Sequence, residues 1–435
     1  MLIQKIKADG EAVTIHLATS KSISNRYLVL DALRKNVLNL LSIEVPSTEL
    51  HNCSDAADTV FLQTLLSSAN DVENDVENDI LGCGAGGTTF RFLLAYKALT
   101  TKKTVVITGS ERLRERPIAP LVAALRELGA DISYLGTPNY APLRVAPSTL
   151  SATKTIDIDV TKSSQFLTAL LLIGGFVEGG LRLRLVGEAV SGAYTKLTLA
   201  ALRAYGISYE YDNKDTIIVA QADTKNLVAN TKSLTVPADW SGASYIFLAA
   251  ALGAKRTIYL PNLDITDGQP DAAIVDIAAQ FGVQTTVLAN GIAIEKIGDK
   301  QPDFLEYDFT NCPDIAQTVA VLCAARGVRA RLTGLSTLRI KETDRIFALQ
   351  KELAKLNVTA TINGDDALAI SGKVHFNNQI ISIATYEDHR MAMSFAPLAL
   401  IFDSGIIIED IDVVKKSFPS FWRELEKLGG KVIRV

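Results

Sequence analysis

The chain has 435 residues, 48% of them hydrophobic and 21% charged, and a formal net charge of -4. Such a length exceeds what one core supports and predicts two domains, the apolar fraction excludes a disordered chain, and mild acidity argues against a protein that coats nucleic acid. Four cysteines, Cys53, Cys83, Cys312 and Cys323, include no CxxC pair, which argues against zinc or a disulfide framework and fits a reducing compartment.

Met1–Leu17 alternates charged and apolar residues without a basic leader or an apolar core, so neither export nor a membrane anchor is expected and the protein is placed in the cytoplasm. Ser20-Lys21-Ser22-Ile23-Ser24-Asn25-Arg26 reads as a loop entering a helix over the apolar run Tyr27–Leu33. Its hydroxyls, cations and helix N–H groups make an anion site; a helix cap with solvated basic side chains explains the same residues. A weak helix is expected over Asp58–Ser67, followed by an acidic duplicate at 71–78 that reads as a surface loop.

Gly82-Cys83-Gly84-Ala85-Gly86-Gly87-Thr88-Thr89-Phe90-Arg91 has enough glycine for backbone to approach a ligand closely, without the lysine of a Walker loop. Arg112, Arg114 and Arg116 precede a helix marked by Pro117. They grip carboxylate or phosphate, or pair with Glu111 and Glu115 at the surface. Ser163, Ser164 and Gln165 open an apolar helix whose run Leu167–Val177 is too short to span a bilayer and reads as buried. Capping and phosphate binding both suit those hydroxyls, and Ser191 and Tyr194 add donors in the next loop.

In the second half, Asp314 precedes the helix Ile315–Ala324. Lys341-Glu342-Thr343-Asp344-Arg345, Asp388-His389-Arg390 and Lys416-Ser417-Phe418-Pro419 each precede another. Singly, each is explained by solvation or the helix dipole. The argument lies in recurrence. Helices at Leu121–Leu128, Leu197–Tyr205, Ala272–Phe281, Arg345–Leu356 and Phe421–Leu428 end on Gly129, Gly206, Gly282, Asn357 and Gly429. The first two lead into alternating strands, Ala130–Tyr134 and Ile207–Tyr211. The breakers recur about every 75 residues and suit left-handed caps. With Asp58–Ser67 as a short, irregular first copy, the pattern predicts six units, three per domain. Cations gathered at successive helix starts predict a positive cleft in an acidic protein, hence a small, multiply negative ligand.

Ser-Lys-Ser-x-Ser-Asn-Arg, Glu-Arg-Pro-Ile, Lys-Glu-Thr-Asp-Arg, Asp-His-Arg-x-Ala-Met and Lys-Ser-Phe-Pro follow one another from about Lys21 to Phe421. In this order they closely resemble the 5-enolpyruvylshikimate-3-phosphate synthase family of enolpyruvyl transferases. The resemblance implies an α/β fold of two domains, each of three βαβαββ units. Residues 1–18 and 236–435 would form one domain and 19–235 the other, with ligands in the cleft between them. It implies transfer of enolpyruvyl from phosphoenolpyruvate to the 5-hydroxyl of shikimate 3-phosphate, on the route to chorismate and the aromatic amino acids, and a monomer that is a target of glyphosate. No metal or organic cofactor is expected, because phosphoenolpyruvate already carries the activated group.

Carried over residue by residue, Lys21, Ser22, Arg26, Ser163, Ser164, Gln165, Ser191, Tyr194, Asp314 and Lys341 are the expected shikimate 3-phosphate contacts. Lys21, Gly87, Arg116, Gln165, Arg345, Arg390 and Lys416 are the expected phosphoenolpyruvate contacts. Asp314, Glu342 and Lys21 resemble the acid–base group. The acceptor hydroxyl adds to C2 while C3 gains a proton, and C3 returns it as phosphate leaves, so acid and base exchange roles. Asp314 is expected at the hydroxyl and Glu342, with Lys21, at the methyl carbon. Ala18-Thr19 and Ala85 depart from the family's Pro-Gly and asparagine at those positions.

Two other readings compete. A UDP-N-acetylglucosamine enolpyruvyl transferase shares repeat and donor, but Ser110–Pro117 lacks that family's loop cysteine. A non-enzymatic polyanion binder explains the cations but not the acids set among them.

Overall fold

The computed structural model describes residues 1–5, 12–43, 50–67, 79–161, 163–187, 192–229, 233–253, 256–375 and 379–433. The chain divides into two compact units. Met1–Ser20, Asp55–Ala57 and Pro237–Val435 form a terminal unit; Lys21–Ser54 and Asp58–Val236 form a central unit.

One topology recurs in five four-stranded sheets. In the central unit Asp79–Gly82 runs parallel to Val105–Thr108 across the Gly87–Thr100 helix. The Ala119–Glu127 helix then leads to Asp131–Tyr134 and Leu143–Ala146, a hairpin whose second strand pairs antiparallel with Val105–Thr108. Strands thus lie in the order first, second, fourth, third, and the sheets containing Ile156–Asp159, Ala12–Thr14 and Phe304–Asp308 repeat it, while in that of Ile381–Ile383 the chain's own first strand takes the place of the fourth. The irregular first copy contributes, among the described residues, Leu50–His51 paired parallel with Leu234–Thr235. The terminal unit completes two of its sheets with the chain's start. Leu2–Lys5 lies antiparallel between Ile406–Ile408 and Gly430–Ile433, and Ala12–Thr14 runs parallel to Thr257–Leu260.

The inner helices are apolar around their whole circumference, as a helix enclosed by others must be. In the central unit Ser164–Gly174 is buried from Phe166 onward. In the terminal unit Trp240–Ala251 and Ala316–Arg326 bury almost every residue. Ser244, Thr318 and Ser394 bridge three of the terminal unit's helices by hydroxyl contacts of 3.1 and 3.4 Å. Every spaced breaker adopts left-handed backbone, with φ of 107° at Gly129, 72° at Gly206, 81° at Gly282, 61° at Asn357 and 103° at Gly429. No described helix is long and apolar enough to cross a membrane.

Two expectations are corrected. The segment read as a loop at Ser20–Arg26 is helical from Lys21, in a helix that runs to Leu40. Lys21 and Ser22 are half-buried in its first turn and Ser24, Asn25 and Arg26 are buried, so polar residues there marked a helix start packed on its neighbours and not a loop. The expected single helix Ala272–Phe281 is a 3-10 turn, Pro270–Ala273, followed by a short α-helix, Ile274–Ala279. The acidic duplicate at 71–78 and Ser191 lie outside the described residues.

Candidate functional site

In the central unit the glycine loop sets a helix start beside two guanidiniums. The Gly87–Thr100 helix has Gly86 at its N-cap, and no side chain caps it. A Cβ built on Gly87 would stand 2.6 Å from Arg116 Nη1 and 2.7 Å from Arg91 Nη1. Only glycine allows both guanidiniums this close, and like charges meeting at a positive helix end make an anion-binding group. Arg91 donates to Gln165 Oε1 at 2.8 Å and to Gly87 O at 3.1 Å, and its guanidinium carbon lies 5.1 Å from the Phe166 ring centroid. Gln165 Nε2 donates to Thr88 Oγ1 at 3.0 Å, and Ser163 caps the helix that Ser164 opens by accepting from the Gln165 N–H at 3.2 Å. The fold therefore brings Gly87, Arg116, Ser163, Ser164 and Gln165 together. Arg91 joins them, although the sequence marked it only as the end of the glycine loop. Arg112 instead pairs with Glu115 at 2.8 Å on the surface, as its plainer reading expects.

Lys21 Nζ donates to Asp58 Oδ2 at 3.1 Å. Asp58 also meets the glycine loop: Thr89 Oγ1 donates to its carbonyl at 3.1 Å, and a Cβ on Gly86 would lie 3.3 Å from its Oδ1. Sequence reasoning missed Asp58, because a first-turn acid needs only the helix dipole to explain it. Arg26 is 4% exposed and donates to Thr198 Oγ1 at 2.9 Å, to Ser22 O at 2.6 Å and to Tyr194 O at 3.3 Å. It thereby ties the Lys21–Leu40 helix to Gly192–Ala204, and Ser22 and Tyr194 meet it through their carbonyls. Burial lowers its pKa to about 10, with Tyr194 acting in the opposite direction.

The terminal unit builds a denser array from three helix starts and the end of a turn. Asp314 sits in the 3-10 turn Pro313–Ile315 ahead of Ala316–Arg326, and Arg345 opens Arg345–Lys355 after its cap Asp344. Asp388 caps His389–Phe395, and Lys416 ends the turn Ile411–Lys416. Arg345 reaches three carboxylates, Asp388 Oδ2 at 2.6 Å, Glu342 Oε2 at 2.9 Å and Asp314 Oδ1 at 3.1 Å. Arg390 Nη2 stands 2.9 Å from Asp314 Oδ2, Lys341 Nζ 3.8 Å from Asp314 Oδ1, and Lys416 Nζ 2.6 Å from Glu342 Oε1. Asp314, Lys341, Glu342, Arg345, Arg390 and Lys416 thus form one network, with Asp388 as a member that the sequence marked only as part of a helix start.

Burial alone would raise the Asp314 carboxyl, but Arg390, Lys341 and Arg345 outweigh it and hold the group well below the usual carboxylate range. Burial would lower Arg345, and Asp388, Glu342 and Asp314 reverse that, so its guanidinium stays charged. Tyr245, whose hydroxyl accepts from Arg390 Nη1 at 3.4 Å, is pushed up to about 12 by burial and remains a phenol. The array offers fixed cations for anionic groups, and of its three carboxylates Asp314 and Glu342 keep the partial exposure that proton exchange needs, while Asp388 has none. No group of three or more His, Cys, Asp or Glu side chains that could hold a metal ion is found among the described residues.

Residues 9–425 match the family model described as EPSP synthase (3-phosphoshikimate 1-carboxyvinyltransferase). The 3-phosphoshikimate 1-carboxyvinyltransferase of Bacteroides fragilis is 40% identical over 416 residues, covering 96% of this chain and 95% of the relative. That of Histophilus somni is 32% identical over 442 residues, covering 97% of each. Among solved structures, EPSP synthase from Acinetobacter baumannii superimposes with a TM-score of 0.70 at 21% identity over 98% of both chains. The enolpyruvyl transferase NikO from Streptomyces tendae gives 0.72 at 14% identity, covering 99% of this chain and 97% of its own. The two structures speak for the fold alone.

Proposed function

The chain belongs to the EPSP synthase family, and from that premise we propose that it transfers the enolpyruvyl group of phosphoenolpyruvate to the 5-hydroxyl of shikimate 3-phosphate, releasing phosphate. The observation that carries the reading to this chain's own residues is the setting of Asp314 and Glu342 among Lys341, Arg345, Arg390 and Lys416. A protein that only held polyanions would be weakened by those acids, whereas proton transfer needs them. The two substrates bring two phosphates and two carboxylates. Like charges about 4 Å apart repel by about 4 kcal/mol near a protein surface, so the reactants meet only if cations offset the repulsion.

In this reading two sets of side chains serve the two substrates. Lys21, Gly87, Arg116, Gln165, Arg345, Arg390 and Lys416 serve phosphoenolpyruvate. Lys21, Ser22, Arg26, Ser163, Ser164, Gln165, Ser191, Tyr194, Asp314 and Lys341 serve shikimate 3-phosphate. Asp314, ionised by its cations, accepts a hydrogen bond from the attacking hydroxyl and takes its proton, which departs with the leaving phosphate and returns Asp314 to the carboxylate. Its low basicity rises as anionic substrates draw Arg390 and Arg345 toward themselves. Glu342, with Lys21, delivers a proton to C3 in the addition and removes one in the elimination; Lys416, 2.6 Å from Glu342, stabilises the carboxylate between those steps. The enzyme works as a cytoplasmic monomer without metal or cofactor.

Phosphate release from phosphoenolpyruvate tests the reading. It is expected with shikimate 3-phosphate and absent with UDP-N-acetylglucosamine. Turnover of the sugar nucleotide alone overturns the acceptor assignment.

A further inference from the structure

Asp271 lies in the 3-10 turn Pro270–Ala273 and is 2% exposed, and the proposed reaction gives it no role. Ser241 Oγ donates a short hydrogen bond to its Oδ2, while its Oδ1 is buried without a hydrogen-bond partner. An unused, dehydrated carboxylate oxygen penalises the anion far more than the neutral acid. The surroundings add to that bias. Asp239 caps the Trp240–Ala251 helix that packs on this turn, with Ser241 in its first turn. Asp314 and Arg390 act on Asp271 from the neighbouring turn and helix, and the Cys312 thiol is raised by burial and by Asp271. The Ile274–Ala279 helix that follows carries Asp276, which is exposed. Burial and the charge on Asp314 push the Asp271 carboxyl up to about 7, against the pull of Arg390 and Ser241.

Arg390 is therefore addressed by two acids: Asp314 in contact at 2.9 Å, and Asp271, whose partner Ser241 stands one turn before Tyr245, the acceptor from Arg390 Nη1, on the same face of the Trp240–Ala251 helix. When Asp271 is ionised it competes with an arriving anion for Arg390. When protonated it does not. We propose that Asp271 is a positioning residue for the proposed reaction: by taking up a proton it frees Arg390 to hold phosphoenolpyruvate, so that binding of this substrate and protonation of Asp271 reinforce each other. This rests on the reaction proposed above. The sign follows from charge. Below neutrality Asp271 is neutral and the substrate binds well; as pH rises through about 7, a buried negative charge appears and binding weakens.

The test compares wild type with Asp271→Asn, which is neutral at every pH, by measuring kcat and KM for phosphoenolpyruvate at saturating shikimate 3-phosphate between pH 6 and 8.5. The substrate's own ionisation is common to both proteins and cancels in their ratio. The KM of the wild type is expected to rise roughly tenfold relative to the variant across that range, with the kcat ratio flat. A structural role for Asp271 would change KM equally at all pH values, so parallel profiles overturn the proposal. Ser241→Ala supplies an independent reading, including in the case that Asp271→Asn does not fold. Removing the hydrogen bond that favours the ionised acid should move the wild-type break in KM to higher pH, and an unmoved break overturns the proposal. Wild-type protein that releases no phosphate at any pH would instead sink the reaction itself, and this inference with it.

Discussion

Gly87 shows how one missing side chain sets local chemistry. The atoms that a Cβ would strike are the ends of Arg116 and Arg91, at 2.6 and 2.7 Å, and such ends can swing aside. Gly87→Ala is therefore expected to leave stability within about 1 kcal/mol of wild type while weakening phosphoenolpyruvate binding roughly 10- to 100-fold, the worth of a hydrogen bond to a charged group. Urea unfolding and KM measured on one preparation check both halves. Asp314→Asn should instead reduce turnover by roughly 10² to 10⁴ at saturating substrates; near-normal turnover would leave the residue a structural partner of Arg345 and Arg390. Because Asp314 is held far below the ordinary carboxylate range, the stability it contributes is present above its unfolded pKa of about 4 and is lost only in stronger acid, so no step near neutrality belongs to it. Asp271 behaves oppositely. Its folded pKa is raised to about 7, so the stability linked to its proton is lost as pH climbs from about 4 through neutrality, by a few kcal/mol in all. Asp271→Asn cannot show that slope, and its melting temperature should gain on wild type between pH 5 and 8.

Among the elements, two helix caps of similar sequence context carry unequal weight. Asp344 accepts from the Ile346 and Phe347 N–H groups at 3.1 Å each and pairs with Arg339 at 2.9 Å in a partly exposed setting. Its replacement by alanine is expected to cost about 1 kcal/mol, the usual worth of a cap. Asp388 accepts from the Arg390 N–H at 2.8 Å and in addition holds Arg345 at 2.6 Å, with no side-chain exposure. Asp388→Ala leaves a buried guanidinium short of a partner, and about 3–5 kcal/mol is expected. Denaturant midpoints of the two variants measured together decide this, and equal costs would mean that the Arg345 pair adds nothing.

On the scale of the whole molecule, the chain's start is structural. Ile3 has 0% exposure and pairs with Ile406 on one side and Val432 on the other. Terminal residues usually tolerate change because nothing ties them down. Here Ile3→Ala should cost about 2–5 kcal/mol, as for a core position, visible as a lowered thermal midpoint. A cost within a few tenths of a kcal/mol would mean that the Leu2–Lys5 strand is dispensable.

The sequence by itself determined the repeat, the left-handed breakers and the motif order, because each depends on neighbouring residues: Gly129, Gly206, Gly282, Asn357 and Gly429 sit where a helix must end whatever surrounds it. It also supplied most members of the candidate site, since lysine, arginine and acid at helix starts are visible in one dimension. Partner choice was decided only by the tertiary structure. Arg112 and Arg116 look alike in the chain, yet one finds Glu115 on the surface and the other the glycine loop. Asp58, Arg91, Asp271 and Asp388 became legible only when distant segments folded together, because a buried charge takes its meaning from what replaces its water. The same holds for Leu2–Lys5, whose pairing with strands some 400 residues away is fixed by how the last sheet closes and by nothing local.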